Sequence, residues 1–495
     1  MAGVVASLCL AGPGWAVGAE PGVRPPGVPP PVNPAALPSP ASVSTLPYIV
    51  NNRATRQTGP VEQQAACQQR PAGNVEVEPV GQQRLRIRQA QQFATGRGQR
   101  VAVIDSGVQP HPRLAGRLID GGDYVEDRSG LFDCDGHGTA VAGLIAAGPD
   151  PATRFVGVAP AAEILAIRQA STFYSVPLRQ LDTGAEVRSP AGDTMSMAMA
   201  VMRAVQRGAT VINISEAACF PAERDQVNAP DLQAAVHYAV EHNVVVVVAA
   251  ANTSITCQQN SPGAVTTISS PGWFDDDVLT VAATDDNGDA ADFSIRGPWV
   301  DVAAPGTGAV SLAATGPGLT TELVDALGVR RALDGTSFAT PYVAGLAALV
   351  RDRFTHLTAR QVMHRIEQTA QHTAGPGGRS EELGYGMVNP VAALTAVLPE
   401  EQGSGPDPVN PASLSGLEAP PPESTLPRTI ALAGSAAALG LLALTLVVVQ
   451  TVKRHHQRRP HHRPPSWIRK FRGGGHQARR SGSGRRTGRR TSGRE

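Results

Sequence analysis

Four polar residues, far apart in the chain, each stand where an apolar run gives way to a turn. Asp105 closes "VAVID", His137 lies between glycines at the head of "HGTAVAGLIAAG", Asn252 ends "VVVVVAAAN", and Ser337 sits in "DGTSFATP". Together these types make one kind of chemistry. A serine hydroxyl is a weak nucleophile until a base takes its proton during attack. Histidine is the natural base near neutral pH, and a buried carboxylate fixes its tautomer and stabilises the imidazolium. The oxyanion that follows needs donors, which the Asn252 amide and the Ser337 backbone N–H can supply.

Each residue also has a plainer role. "DSG" after a strand is an ordinary turn, "HG" is a small-residue helix entry, and an Asn after a strand forms turns. Ser337 at or beside an N-cap, ahead of a helix from Phe338 with Pro341 in its first turn, describes a capped core helix. The joint order Asp, His, Asn, Ser on matching element ends favours catalysis over coincidence.

The elements that must position these residues begin near residue 99. Apolar runs at 100–105, 163–168, 210–215, 244–251 and 278–283 read as strands, with helices expected at 139–147, 194–207 and 230–242. Continuous apolar strands alternating with helices predict an α/β fold with a mostly parallel sheet covered on both faces. In such a sheet, strand C-termini and helix N-termini share one rim, where ligands bind. The pattern lasts to residue 398. Residues 169–193 read as a long loop, and the acidic run 275–277 as a solvated turn.

The flanks are of other kinds. Residues 1–19 resemble a secretory signal without its basic n-region. Residues 20–98 form a Pro-rich lead and a Gln-rich extension, and 399–428 a Pro/Gly/Ser-rich linker. Residues 429–452 contain no charged residue and predict a transmembrane helix. The formal charge of +1 hides a polarised chain: residues 453–495 hold two Lys and thirteen Arg against Glu495, or +14, leaving 1 − 14 = −13 for the rest. This basic, disordered tail belongs in the cytoplasm and the domain outside it. Anionic inner-leaflet lipid is favoured over nucleic acid as the tail's partner. With Cys9 lost in the signal, Cys67, Cys134, Cys219 and Cys257 remain, enough for two disulfides in any of three pairings. No zinc-type cysteine spacing or strong calcium-loop pattern is present, and neither metal nor cofactor is expected in catalysis.

"VAVIDSGV", "DGHGTAVAGLIA" and "GTSFATPYVAGLAAL" resemble the signature blocks of the subtilase family of serine peptidases, over roughly residues 95–398. The resemblance implies a subtilisin-like fold in which Asp105 orients, His137 is the general base and acid, Ser337 attacks and Asn252 helps form the oxyanion hole. It also implies that Ser215, Glu216, Ala217, Ala249, Ala250 and Ala251 line the cleft that receives a protein or peptide substrate. Ala251 departs from the glycine common before the Asn. "DCDGHGTAVAG", "VINISEAAC", "FSIRGPWVDVAAPG" and "YGMVNPVAAL" are similar to the mycosins, membrane-anchored subtilases of type VII secretion systems. That implies an extension that wraps the domain, the pairings Cys67–Cys134 and Cys219–Cys257, and a secretion membrane complex as partner. A structural subunit of that complex, with proteolysis secondary, is the alternative role. The long basic tail departs from the short cytoplasmic end usual in mycosins.

Overall fold

The computed structural model describes residues 28–39, 55–68, 78–222, 229–402, 444, 447–451 and 453. The signal, most of the linker and nearly all of the expected span and tail lie outside them. Among the described residues no helix is long and apolar enough to cross a membrane.

Seven parallel strands form the central sheet: β1 (Arg100–Asp105), β2 (Leu118–Asp123), β3 (Glu163–Arg168), β4 (Val211–Ile214), β5 (Val245–Ala249), β6 (Leu279–Thr284) and β7 (Val302–Pro305). Their order is β7-β6-β5-β4-β1-β3-β2. All of β4, β5, β6 and β7 is buried, which is why their sequences lack polar alternation. β2 and β7 were not foreseen. Two glycines and two aspartates break up "LIDGGD", and "VAAP" is too short to signal itself.

The principal helices are α1 (His137–Ala146), α2 (Thr194–Gln206), α3 (Pro230–Glu241), α4 (Thr336–Arg353) and α5 (Ala359–Gln368). Buried Ala, Val and Leu surround α4, which packs on β4, β5 and β6. It begins two residues before the expected Phe338. Gly335 is its N-cap, so Ser337 lies inside the first turn and Pro341 in the second. Removing the Pro341 N–H frees the Ser337 carbonyl of its helical partner, and the Ser215 hydroxyl donates to that carbonyl instead, at 2.9 Å.

Two other expectations are corrected. Residues 169–193 are not a loop but an antiparallel hairpin, Ser171–Gln180 with Glu186–Ala191. It completes a sheet with Thr55–Gln57 and Glu62–Gln63 of the extension. Those two short strands pair only with residues more than a hundred positions later, so they give little local signal. The extension also carries helices Val80–Arg84 and Ile87–Ala90, burying Leu85, Ile87 and Ala90 in the main core. Its polar Gln82 is buried because Nε2 donates to the Val156 carbonyl at 2.6 Å. The run 275–277 is a 3₁₀ turn whose Asp277 is buried against His237 and Arg360.

Candidate active site

Four element ends meet at one rim of the sheet. Asp105 is the last residue of β1, and His137 is the first of α1. Asn252 follows β5, and Ser337 opens α4. His137 Nδ1 lies 2.8 Å from Asp105 Oδ1, which also accepts the Ser106 N–H at 2.7 Å. The second Asp105 oxygen is buried without a hydrogen-bond partner among the described residues. Gly138 permits this approach, because a Cβ there would lie 2.0 Å from the Gly107 carbonyl oxygen. Phe338, beside the nucleophile candidate, packs its ring 5.1 Å from the His137 ring.

Asn252 is held by its oxygen. Oδ1 accepts the Thr336 N–H at 2.9 Å and the Thr336 hydroxyl at 3.1 Å, which leaves Nδ2 to donate. A Cβ placed on Gly335 would lie 3.0 Å from Ser337 Oγ and 3.3 Å from Asn252 Nδ2. Ser337 Oγ and Asn252 Nδ2 therefore converge on one small volume, kept open by a glycine. Among the described residues the Ser337 N–H has no partner, and no hydrogen bond joins Ser337 Oγ to His137. The Ala251 backbone has φ +80°. This left-handed conformation is the physical reason for the glycine usual there, and a Cβ in it carries strain on the order of 1–3 kcal/mol.

Burial disfavours charge on His137, but the Asp105 carboxylate and its hydrogen bond outweigh that, helped by Glu216 and Asp133. The imidazole pKa is raised. Burial also raises the Glu216 carboxyl, with Asp105 adding and His137 opposing. Among the described residues, Asp105, His137 and Glu216 are the group of metal-type donors whose ligand atoms all lie within 4.8 Å. His137 Nδ1 is already engaged by Asp105.

The remaining cleft candidates are placed as follows. Ser215 is buried and bridges Asn213 Nδ2 to the Ser337 carbonyl, both at 2.9 Å. Glu216 and Ala217 are half-buried, whereas Ala249, Ala250 and Ala251 are buried beneath the Asn252 turn. Both disulfides pair as the resemblance implied, Cys67–Cys134 and Cys219–Cys257.

Sequence reasoning missed the support around His137. Asp133 accepts from Gly136 N–H at 2.8 Å, Ser106 Oγ at 2.9 Å, and Thr139 N–H and Oγ1 at 2.8 and 2.6 Å. Burial pushes its carboxyl up to about 7 despite the bonds from Thr139. Asp135 accepts from Thr172 N–H at 2.7 Å and so ties the hairpin to the same loop. The only sequence signal was an "DCD" directly before "GHG".

With this geometry in hand, comparison decides the family. The sequence profile of the Subtilase family matches residues 96–386. The chain belongs to the subtilases. It is a serine peptidase by family, and its fold is subtilisin-like. Mycosin-3 of Mycobacterium tuberculosis is 39% identical over 421 residues, covering 80% of this chain and 89% of that protein. Mycosin-1 of Mycolicibacterium smegmatis is 39% identical over 405 residues, covering 78% and 88%. Among solved structures, the MycP3 protease from the type VII (ESX-3) secretion system superposes with a TM-score of 0.64 at 39% identity, covering 74% of this subtilase and all of that chain. A chain of an intact ESX-5 inner membrane complex gives 0.66 at 36% identity, covering 85% and 99%.

Proposed function

We propose that this subtilase is a membrane-anchored endopeptidase of a type VII secretion system, hydrolysing peptide bonds through Asp105, His137 and Ser337. The observation that carries the reading is the convergence of Ser337 Oγ and Asn252 Nδ2 on one volume beside an Asp105-bound imidazole. With Nδ1 donating to Asp105, the neutral ring keeps Nε2 unprotonated and able to take the serine proton. Ser337 then attacks the substrate carbonyl, and its oxyanion is received by Asn252 Nδ2 and the Ser337 N–H at the positive end of α4. The imidazolium, stabilised by Asp105, returns the proton to the leaving amine. Water repeats the sequence on the acyl-enzyme.

The anchoring half of the reading rests on the uncharged run 429–452 and on the similarity to a chain of the ESX-5 inner membrane complex. The signal at 1–19 directs the domain out of the cytoplasm, and the basic tail contacts anionic inner-leaflet lipid. The same similarity supports a second reading, in which the protein chiefly stabilises the membrane complex. Fluorophosphonate labelling of the full-length protein in membranes, beside Ser337→Ala, tests the first: label on the wild type alone is expected. Absence of label on folded wild type would refute it. If secretion survives Ser337→Ala but fails on deletion of the whole protein, the structural role is the main one.

A further inference from the structure

Glu216 is a second carboxylate beside the imidazole, and the proposed peptidase mechanism routes no proton through it. It is the second residue beyond β4, next to Ser215, whose hydroxyl touches the Ser337 carbonyl. Its ligand oxygen lies within 4.8 Å of the His137 and Asp105 ligand atoms. Glu216 is half-buried and the ring beside it is also partly exposed, with the His137 side chain 22% exposed. The charged groups that act on Glu216 are Asp105, His137 and Asp135, from β1, the start of α1 and the loop before it. Among the described residues no hydrogen bond or ion pair engages its carboxylate. A half-buried acid among other acids is costly to ionise, and an arriving cation relieves that cost.

We infer that Glu216 is a specificity-determining residue: it forms an anionic subsite that selects a lysine or arginine side chain beside the scissile bond of a polypeptide substrate. The inference rests on the peptidase reading for the word substrate, but the subsite itself is a binding property. A neutral side chain leaves the carboxylate unpaired, and an acidic one is repelled by Glu216, Asp105 and Asp135 together. The preference grows as pH rises through neutrality, since Glu216 must ionise to attract the cation and its pKa is raised by burial.

Full-length protein carrying Ser337→Ala binds without turnover and allows a direct test. Fluorescent alanine-based peptides would carry Lys, norleucine or Glu at each successive position, with affinity read by anisotropy. One position is expected to favour Lys over norleucine by about tenfold to a hundredfold, with Glu weakest. Adding Glu216→Gln should remove that preference, and Glu216→Lys should invert it toward the Glu peptide. Equal binding of Lys and norleucine at every position, including no binding at all, would overturn the proposal. So would a Lys preference that survives both replacements in protein with an unchanged melting temperature. Failure of wild-type protein to hydrolyse peptides that it binds with this preference would refute the peptidase reading and leave the subsite standing.

Discussion

The two helices that open at the site are capped by different kinds of oxygen. At α1, the Asp133 carboxylate accepts the Gly136 and Thr139 N–H groups. At α4, a neutral amide oxygen, Asn252 Oδ1, accepts the Thr336 N–H. Once ionised, Asp133 at α1 offsets the positive helix end beside the imidazole that, in the proposed mechanism, becomes positive. The neutral cap at α4 leaves the dipole and the Ser337 N–H for an anion that forms during reaction. In the proposed mechanism, charge is thus placed where a cation develops and withheld where an anion does.

The largest effect should come from giving α4 the cap that α1 has. Asn252→Asp keeps an acceptor for Thr336 but removes the Nδ2 donor and adds a negative charge. A fall in kcat of about a hundred- to a thousandfold is expected, with little change in melting temperature. The reverse exchange, Asp133→Asn, leaves Thr139 N–H without its acceptor, and thermal unfolding should report a loss of about 1–3 kcal/mol. Equal kcat losses in the two variants would break the comparison. Next in size is Ser215→Ala, which leaves the buried Ser337 carbonyl unpaired at a cost of about 1 kcal/mol or somewhat more. Pro341→Ala restores a helical N–H, so in that background it should recover part of the loss, and a double-mutant cycle would read the coupling.

The smallest effect is on pH dependence. Glu216 and Asp105 stabilise the protonated imidazole and raise its pKa, so kcat/KM rises as pH increases and His137 loses its proton. Glu216→Gln removes one stabilising charge and lowers that pKa. The acidic limb measured with an uncharged peptide should move to lower pH by less than about one unit. A shift to higher pH would show that the two groups do not interact as placed.

Five of the seven central strands were legible as buried runs, and the four candidate site residues because each marks an abrupt end to such a run. Continuous burial leaves unmixed Val, Ile and Ala, and a polar residue closing such a run stands out. The support beneath them was not legible. Asp133 works through Ser106 and Thr139, which only the fold brings alongside, and Asp135 through a hairpin strand that begins far along the chain. Ser215 mattered for a carbonyl that Pro341 freed more than a hundred residues away. Glu216 looked like cleft lining, but its distance to His137 depends on how β4 and α1 are set across β1. Chemistry announces itself at element ends, whereas support is written in pairings across the chain.

The Cys67–Cys134 bridge makes the extension more than a neighbour. It spans 67 residues of sequence and joins the loop just before His137 to the segment that pairs with the hairpin. A backbone cut between those cysteines would therefore not set the leading segment free. The two pieces would migrate as one species until a reductant separated them, so trimming of this chain must be judged on reduced and unreduced samples side by side. Loss of a leading segment that includes Cys67 then requires two chemical events, hydrolysis and reduction.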